Sequence, residues 1–166
     1  NAGNMTIGNL TAGTYIVLDT RAGNMALGDI QSGQDTELEA AGSVQFGNAV
    51  TGLEFAIEAL GSITGGNVNA AGALPTTSYS VGLLSQTGNI QVGNLTGARN
   101  IGFIAGGTIN AGSLTSGENI IALGRAISCS TARSPPEMPP AAISMSATPR
   151  WLPLWDRISI RRPSLP

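Results

Sequence analysis

Along most of the chain, apolar and other residues alternate in short runs, as in Met5/Ile7, Met25/Leu27, Val44/Phe46 and Ile90/Val92. A two-residue period is that of a half-buried β-strand, whereas a helix needs apolar positions three and four apart. The runs recur inside a longer unit. Gly3-Asn4-Met5-Thr6-Ile7-Gly8-Asn9-Leu10 returns as Gly23-Asn24-Met25-Ala26-Leu27-Gly28-Asp29-Ile30 and as Gly88-Asn89-Ile90-Gln91-Val92-Gly93-Asn94-Leu95. Looser copies begin at Gly42, Gly61 and Gly107, so the starts are 20, 19, 19, 27 and 19 residues apart. The surplus of the long unit contains Pro75 and Thr76-Thr77-Ser78, which predicts a loop leaving one corner.

A third run follows the next glycine of each unit. Aligning the units turns Ile16/Thr36/Phe55/Ile101/Ile120 and Leu18/Leu38/Ile57/Phe103/Ala122 inward, and Tyr15/Asp35/Glu54/Arg99/Asn119 outward. Each unit thus supplies three short strands between Gly-Asn, Gly-Asp or Gly-Ser corners, where left-handed backbone angles are expected. Three strands in so few residues cannot bury a face alone, and stacking equivalent strands in parallel solves this. The expected fold is all-β: a right-handed parallel β-helix of about six coils, about 29 Å long at roughly 4.8 Å per coil.

Composition divides the chain in two. All 23 glycines lie between Gly3 and Gly124, whereas eight of the 9 prolines, with Trp151 and Trp155, lie from Pro135 onward. The expected organisation is a repeat segment over residues 1–127 and a Pro/Arg/Ser-rich tail over 128–166. The first part carries three Arg against eight acids, the second five Arg against two. Proline at that density defeats both helix and ladder. Two readings of the tail stay open: a disordered basic segment, or residues translated out of frame. Regrouping third codon bases with the next two lets Pro136 to Thr148 be written Gly-Asp-Ala-Ala-Gly-Gly-Asp-Leu-Asn-Val-Gly-Asn, which is the repeat again.

The chain has neither His nor Lys and a single cysteine, Cys129. These counts remove His-based acid/base chemistry, Schiff-base lysines, the Walker A lysine, an internal disulfide and a cysteine metal cluster. No apolar run reaches the roughly 18 residues of a membrane span, and a chain opening at Asn1 inside a repeat reads as an internal fragment. Stacking sets Asp35 beside Glu54 and Glu39 beside Glu58, a candidate cation site, since Ca²⁺ takes several carboxylate oxygens. The plainer reading of these four acids is a solvated, salt-screened face. Gly65-Gly66 and Gly106-Gly107 read as corners, and Asn9, Asp29, Asn48, Asn67 and Asn94 as a corner ladder. No catalytic residue and no cofactor is assigned.

With these Gly-Asn units in view, the body resembles the repeats of filamentous-haemagglutinin-type exoproteins and autotransporter passengers, best over Gly3–Gly13, Gly61–Gly72 and Gly88–Gly97. The resemblance implies export, a rod on the bacterial cell surface or outside the cell, and adhesion to a host-cell or matrix surface, glycans included. No nucleic acid and no membrane span are expected; end-to-end self-association is. The expectation is a structural, non-enzymatic segment of an adhesin. The alternative is a fragment of a carbohydrate-active β-helical enzyme, similar to polysaccharide lyases, with a cation among the stacked acids.

Overall fold

A computed structural model describes residues 3–72, 79–133 and 144–146. The Pro75 loop, most of the tail, its tryptophans and Arg157, Arg161 and Arg162 lie outside the described residues. The first three coils are β1 (Met5–Ile7), β2 (Leu10–Ala12), β3 (Ile16–Thr20); β4 (Met25–Leu27), β5 (Ile30–Ser32), β6 (Thr36–Ala40); and β7 (Val44–Gln45), β8 (Ala49–Thr51), β9 (Phe55–Ala59). Then come β10 (Ile63–Thr64), β11 (Val68–Ala70), β12 (Tyr79–Ser85); β13 (Ile90–Val92), β14 (Leu95–Gly97), β15 (Asn100–Ala105); and β16 (Thr108–Ser116), which runs through two faces, with β17 (Ile120–Leu123). Finally β18 (Ala126–Arg133) pairs with β16, and β19 (Ser144–Ser146) pairs with β17.

Every pairing is parallel and joins equivalent strands of successive coils, such as Met5↔Met25 and Thr36↔Phe55. The molecule is therefore a parallel β-solenoid of about six turns, with no helix among the described residues. First and second strands of the coils form a twelve-strand sheet; third strands form a seven-strand sheet.

The core consists of columns rather than layers. Met25, Val44, Ile63, Ile90 and Ile109 stack in one column, and Leu38, Ile57, Leu83, Phe103 and Ala122 in another, all buried. Phe46 and Phe55 meet in the third coil with ring centroids 5.2 Å apart. The Phe46 ring lies over Gly65 of the next coil, where a Cβ would overlap it. Gly65, half-buried, thus makes room for an aromatic ring, and Gly66 forms the corner beside it.

The corners differ from the sequence expectation. Among the described residues no non-glycine has a positive φ, and the one glycine that does is Gly23, at 96°. Glycine is required at most corners by its neighbour in the adjacent coil. At one corner the side-chain oxygens of Asn4, Asn24, Ser43, Ser62 and Asn89 accept the backbone N–H of Asn24, Ser43, Ser62, Asn89 and Thr108, at 2.8 to 3.1 Å. At the next, Asn9, Asp29, Asn48, Asn67 and Asn94 accept from Asp29, Asn48, Asn67, Asn94 and Ser113, at 2.7 to 3.0 Å. The accepting oxygen fills the space where the preceding glycine of the next coil would carry a Cβ. That Cβ would sit 2.6 Å from Asn67 Oδ1 at Gly93 and 2.5 Å from Asn94 Oδ1 at Gly112, and would overlap Asp29 Oδ1 at Gly47.

One register assignment also changes. Gly97 pairs with Ser116 and points inward, and a Cβ on Gly117 would strike the Ala98 carbonyl, so Ala98 occupies the corner place. Asn100, not Arg99, then stands next to Asn119, and it is buried. Its Oδ1 accepts both the backbone and side-chain N–H of Asn119 at 2.9 Å.

Phe55 is fully buried, so Phe55→Ala is expected to cost about 3–5 kcal/mol in chemical denaturation. Thr6→Ala, on an outer face, should stay within about 0.5 kcal/mol; equal losses would contradict the register. The corner argument makes a separate prediction. Gly47→Ala should destabilise by about 1–3 kcal/mol through overpacking, and Asp29→Ala should relieve part of that loss in a double-mutant cycle. Strict additivity would show that the carboxylate does not dictate the glycine.

Candidate functional site

The seven-strand sheet presents its outward side chains in two columns. One is Val17, Glu37, Ala56, Gly82, Gly102 and Ile121; the other is Asp19, Glu39, Glu58, Leu84, Ile104 and Leu123. The register brings Glu39 beside Glu58, as the alignment of units implied. It also adds Asp19, which the sequence reading passed over although it follows Leu18 as Glu39 follows Leu38. The three-carboxylate stack has local relief at both ends. Arg21 Nε lies 3.7 Å from Asp19 Oδ2, and Gln86 Nε2 donates to Glu58 Oε1 at 3.0 Å.

Asp35 and Glu54 are also neighbours, but at a corner. Asp35 Oδ1 accepts the Glu54 backbone N–H at 3.3 Å, the same inter-coil exchange that the Asn ladders make. Four residues of extended strand separate Asp35 from Glu39, about 13 Å. The four acids therefore form two separate pairs rather than one oxygen cage. Among the described residues no three His, Cys, Asp or Glu side chains are grouped to hold a metal ion.

Arg99 belongs to another cluster. Its Nε lies 2.9 Å from Glu118 Oε1, and Asn100 Nδ2 donates to Glu118 Oε2 at 2.8 Å, so both carboxylate oxygens are engaged. This cluster joins the fifth and sixth coils, away from the acids of the first three, and ties one corner of the solenoid. Cys129 is half-buried on β18 beside Ala111.

The two remaining outer faces are chemically different. Their central residues stack as Thr6, Ala26, Gln45, Thr64, Gln91, Asn110 and Ser128, and as Thr11, Gln31, Val50, Asn69, Thr96, Thr115 and Arg133. All but Arg133 are uncharged, and all but Ala26 are exposed. The solenoid thus separates a face that carries carboxylates in its first three coils from two faces that are mostly amides and hydroxyls and carry one charge, Arg133. No helix of the described residues is long and apolar enough to cross a membrane. No protein-family model, characterised protein or solved structure matches the chain.

Like charges directly opposite in a ladder oppose pairing by a few tenths of a kcal/mol. Glu39→Gln is therefore expected to raise stability slightly at low ionic strength, with the gain vanishing in high salt. Millimolar Ca²⁺ is expected to leave the melting temperature of the parent chain unchanged beyond general screening. A saturable rise abolished by Glu58→Gln would instead assign a cation to this column.

Proposed function

We propose that the chain is a structural segment of a bacterial cell-surface or secreted adhesin, a β-helical rod that holds neutral polar rows outward for contact. The observation that carries this reading is the repetition itself. Each coil hands the next the same strands and the same corner acceptors, building length and stiffness from one local rule. The Gly-Asn units resemble those of filamentous-haemagglutinin-type exoproteins, and the long polar columns supply repeated hydrogen-bonding groups at about 4.8 Å intervals. In this role the chain is not an enzyme; its partner is a host-cell or matrix surface reached through a larger protein outside the cell.

The purified chain is expected to bind immobilised matrix proteins or neutral glycans saturably, and Gln45→Arg with Gln91→Arg should weaken that binding without changing the melting temperature. The same preparation should leave the chain length of acidic and neutral polysaccharides unchanged. Depolymerisation lost in Glu58→Gln would favour the lyase-like alternative, and binding indifferent to both arginine substitutions would remove the neutral rows from the contact surface.

A further inference from the structure

The described solenoid has two strand edges that complement each other. Met5, Ile7, Leu10 and Leu18 of the first described coil are half-buried, whereas their equivalents Met25, Leu27, Ile30 and Leu38 are buried. Ile127, Cys129 and Ala132 of β18 are half-buried in the same columns, while Ile109, Ala111 and Leu114 before them are buried. Among the described residues no strand pairs with the far edge of β18 or with the near edges of β1 and β2. Such edges are templates for another strand. The corner glycines give a second sign. At Gly28, Gly47, Gly66, Gly93 and Gly112 a Cβ would crowd the Asn or Asp side-chain oxygen of the coil before. Gly8 stands first in that column and has nothing within 4 Å of the same place. No neighbour among the described residues requires glycine there; a coil stacked beneath it, with an accepting oxygen, would.

We propose that this coil is β18 of a second copy, so that chains join head to tail and one solenoid continues into the next. Carrying the register onward places Ile127 over Met5, Cys129 over Ile7 and Ala132 over Leu10, with Thr131 before Asn9. A small side chain is no obstacle in the last of these columns, where Ala49 already sits between Ile30 and Val68. The N–H groups of that column, from Leu10, Ile30, Ala49 and Val68, donate forward to Asp29, Asn48, Asn67 and Asn94. By the same rule the Ala132 N–H donates to the Asn9 carbonyl of the next copy, and Thr131 Oγ1 accepts the Asn9 N–H. At the other corner Ala126 stands before Asn4 and brings no side-chain oxygen, so that bond is missing. Charge selects the direction. Residues 3–72 carry seven acids against Arg21, whereas residues 79–133 carry Glu118 against Arg99, Arg125 and Arg133. The acidic end of one rod therefore meets the basic end of another, and like ends repel. Because the contact joins two different edges, it repeats without closing and builds a filament. The proposal rests on these edges and holds whatever the outer faces bind.

Sedimentation velocity of the full chain over a range of concentrations reads this assembly. The average mass should rise continuously with concentration and pass the dimer. Gly8→Val places a side chain in the open space of a single chain, so the melting temperature of dilute protein should hold while association weakens about tenfold or more. Ala132→Pro removes an N–H that faces the open edge and leaves the ladder to β16 intact; it should stop growth as well. Mixed in equal amounts, the two variants should form a one-to-one dimer that grows no further, because each keeps one competent end. Ala126→Asn supplies the missing oxygen and should tighten association. A full chain that stays monomeric up to its solubility limit would overturn the proposal. So would growth that ends at a dimer, growth indifferent to both Gly8→Val and Ala132→Pro, or folded variants that fail to pair when mixed.

Discussion

The exposed corners of this rod depend on one exchange between coils: a side-chain oxygen accepts the backbone N–H of the equivalent residue one turn further on. Sheets satisfy their own backbone groups, but a solenoid must change direction several times per coil, and each change removes residues from the ladder. The two Asn/Ser-rich corners replace the missing ladder with ten such bonds, five at each. At about 0.5–1.5 kcal/mol net per bond, the set is comparable to the whole stability of a domain. Asparagine predominates because it accepts without bringing a charge. A column of aspartates would stack like charges at every coil, and the one aspartate of this ladder, Asp29, stands between Asn9 and Asn48.

The same exchange selects the glycines. The accepting oxygen occupies the space that a Cβ on the next coil would need, so Gly and Asn recur as a pair whose two members act on different coils. With corners fixed this way, the strand faces are free to diverge. Two became rows that are neutral apart from Arg133, and the third carries Asp19, Glu37, Glu39 and Glu58 together with half-buried apolar side chains. Inward positions have less freedom, because each must match the residues directly above and below it; Phe46 required Gly65 on the next turn.

Much of this architecture was legible in the sequence, because a solenoid converts a periodic pattern directly into contacts. Phe55 and Ile57 turn inward as alignment of the units required, and the Asp35/Glu54 and Glu39/Glu58 pairs follow from the same alignment. The failures are local. Arg99 was set in the outward column although Ile101 and Ile120 were aligned correctly, which makes Asn100 the residue beside Asn119; Ala98 holds the corner place and Gly97 lies inward. Left-handed corners were expected because glycine was judged by its own backbone, and the residue that demands it lies about 19 positions away. The ladder through Asn4, Asn24, Ser43, Ser62 and Asn89 was missed because serine interrupts the asparagines, although it keeps the accepting oxygen. The division of the four acids into two pairs needed only the strand rise, which separates a corner from a face.

Amide hydrogen exchange followed by NMR tests the corner exchange most directly. Asn24, Asp29, Asn48, Asn67 and Asn94 stand at solvent-facing corners beside the paired strands, where backbone amides without partners exchange quickly. If the side-chain acceptors hold these corners, their amides should be protected to within about a factor of ten of the core amides of Ile57 and Ile101. Exchange at the rate of an open loop, with those core amides still protected, would contradict the account.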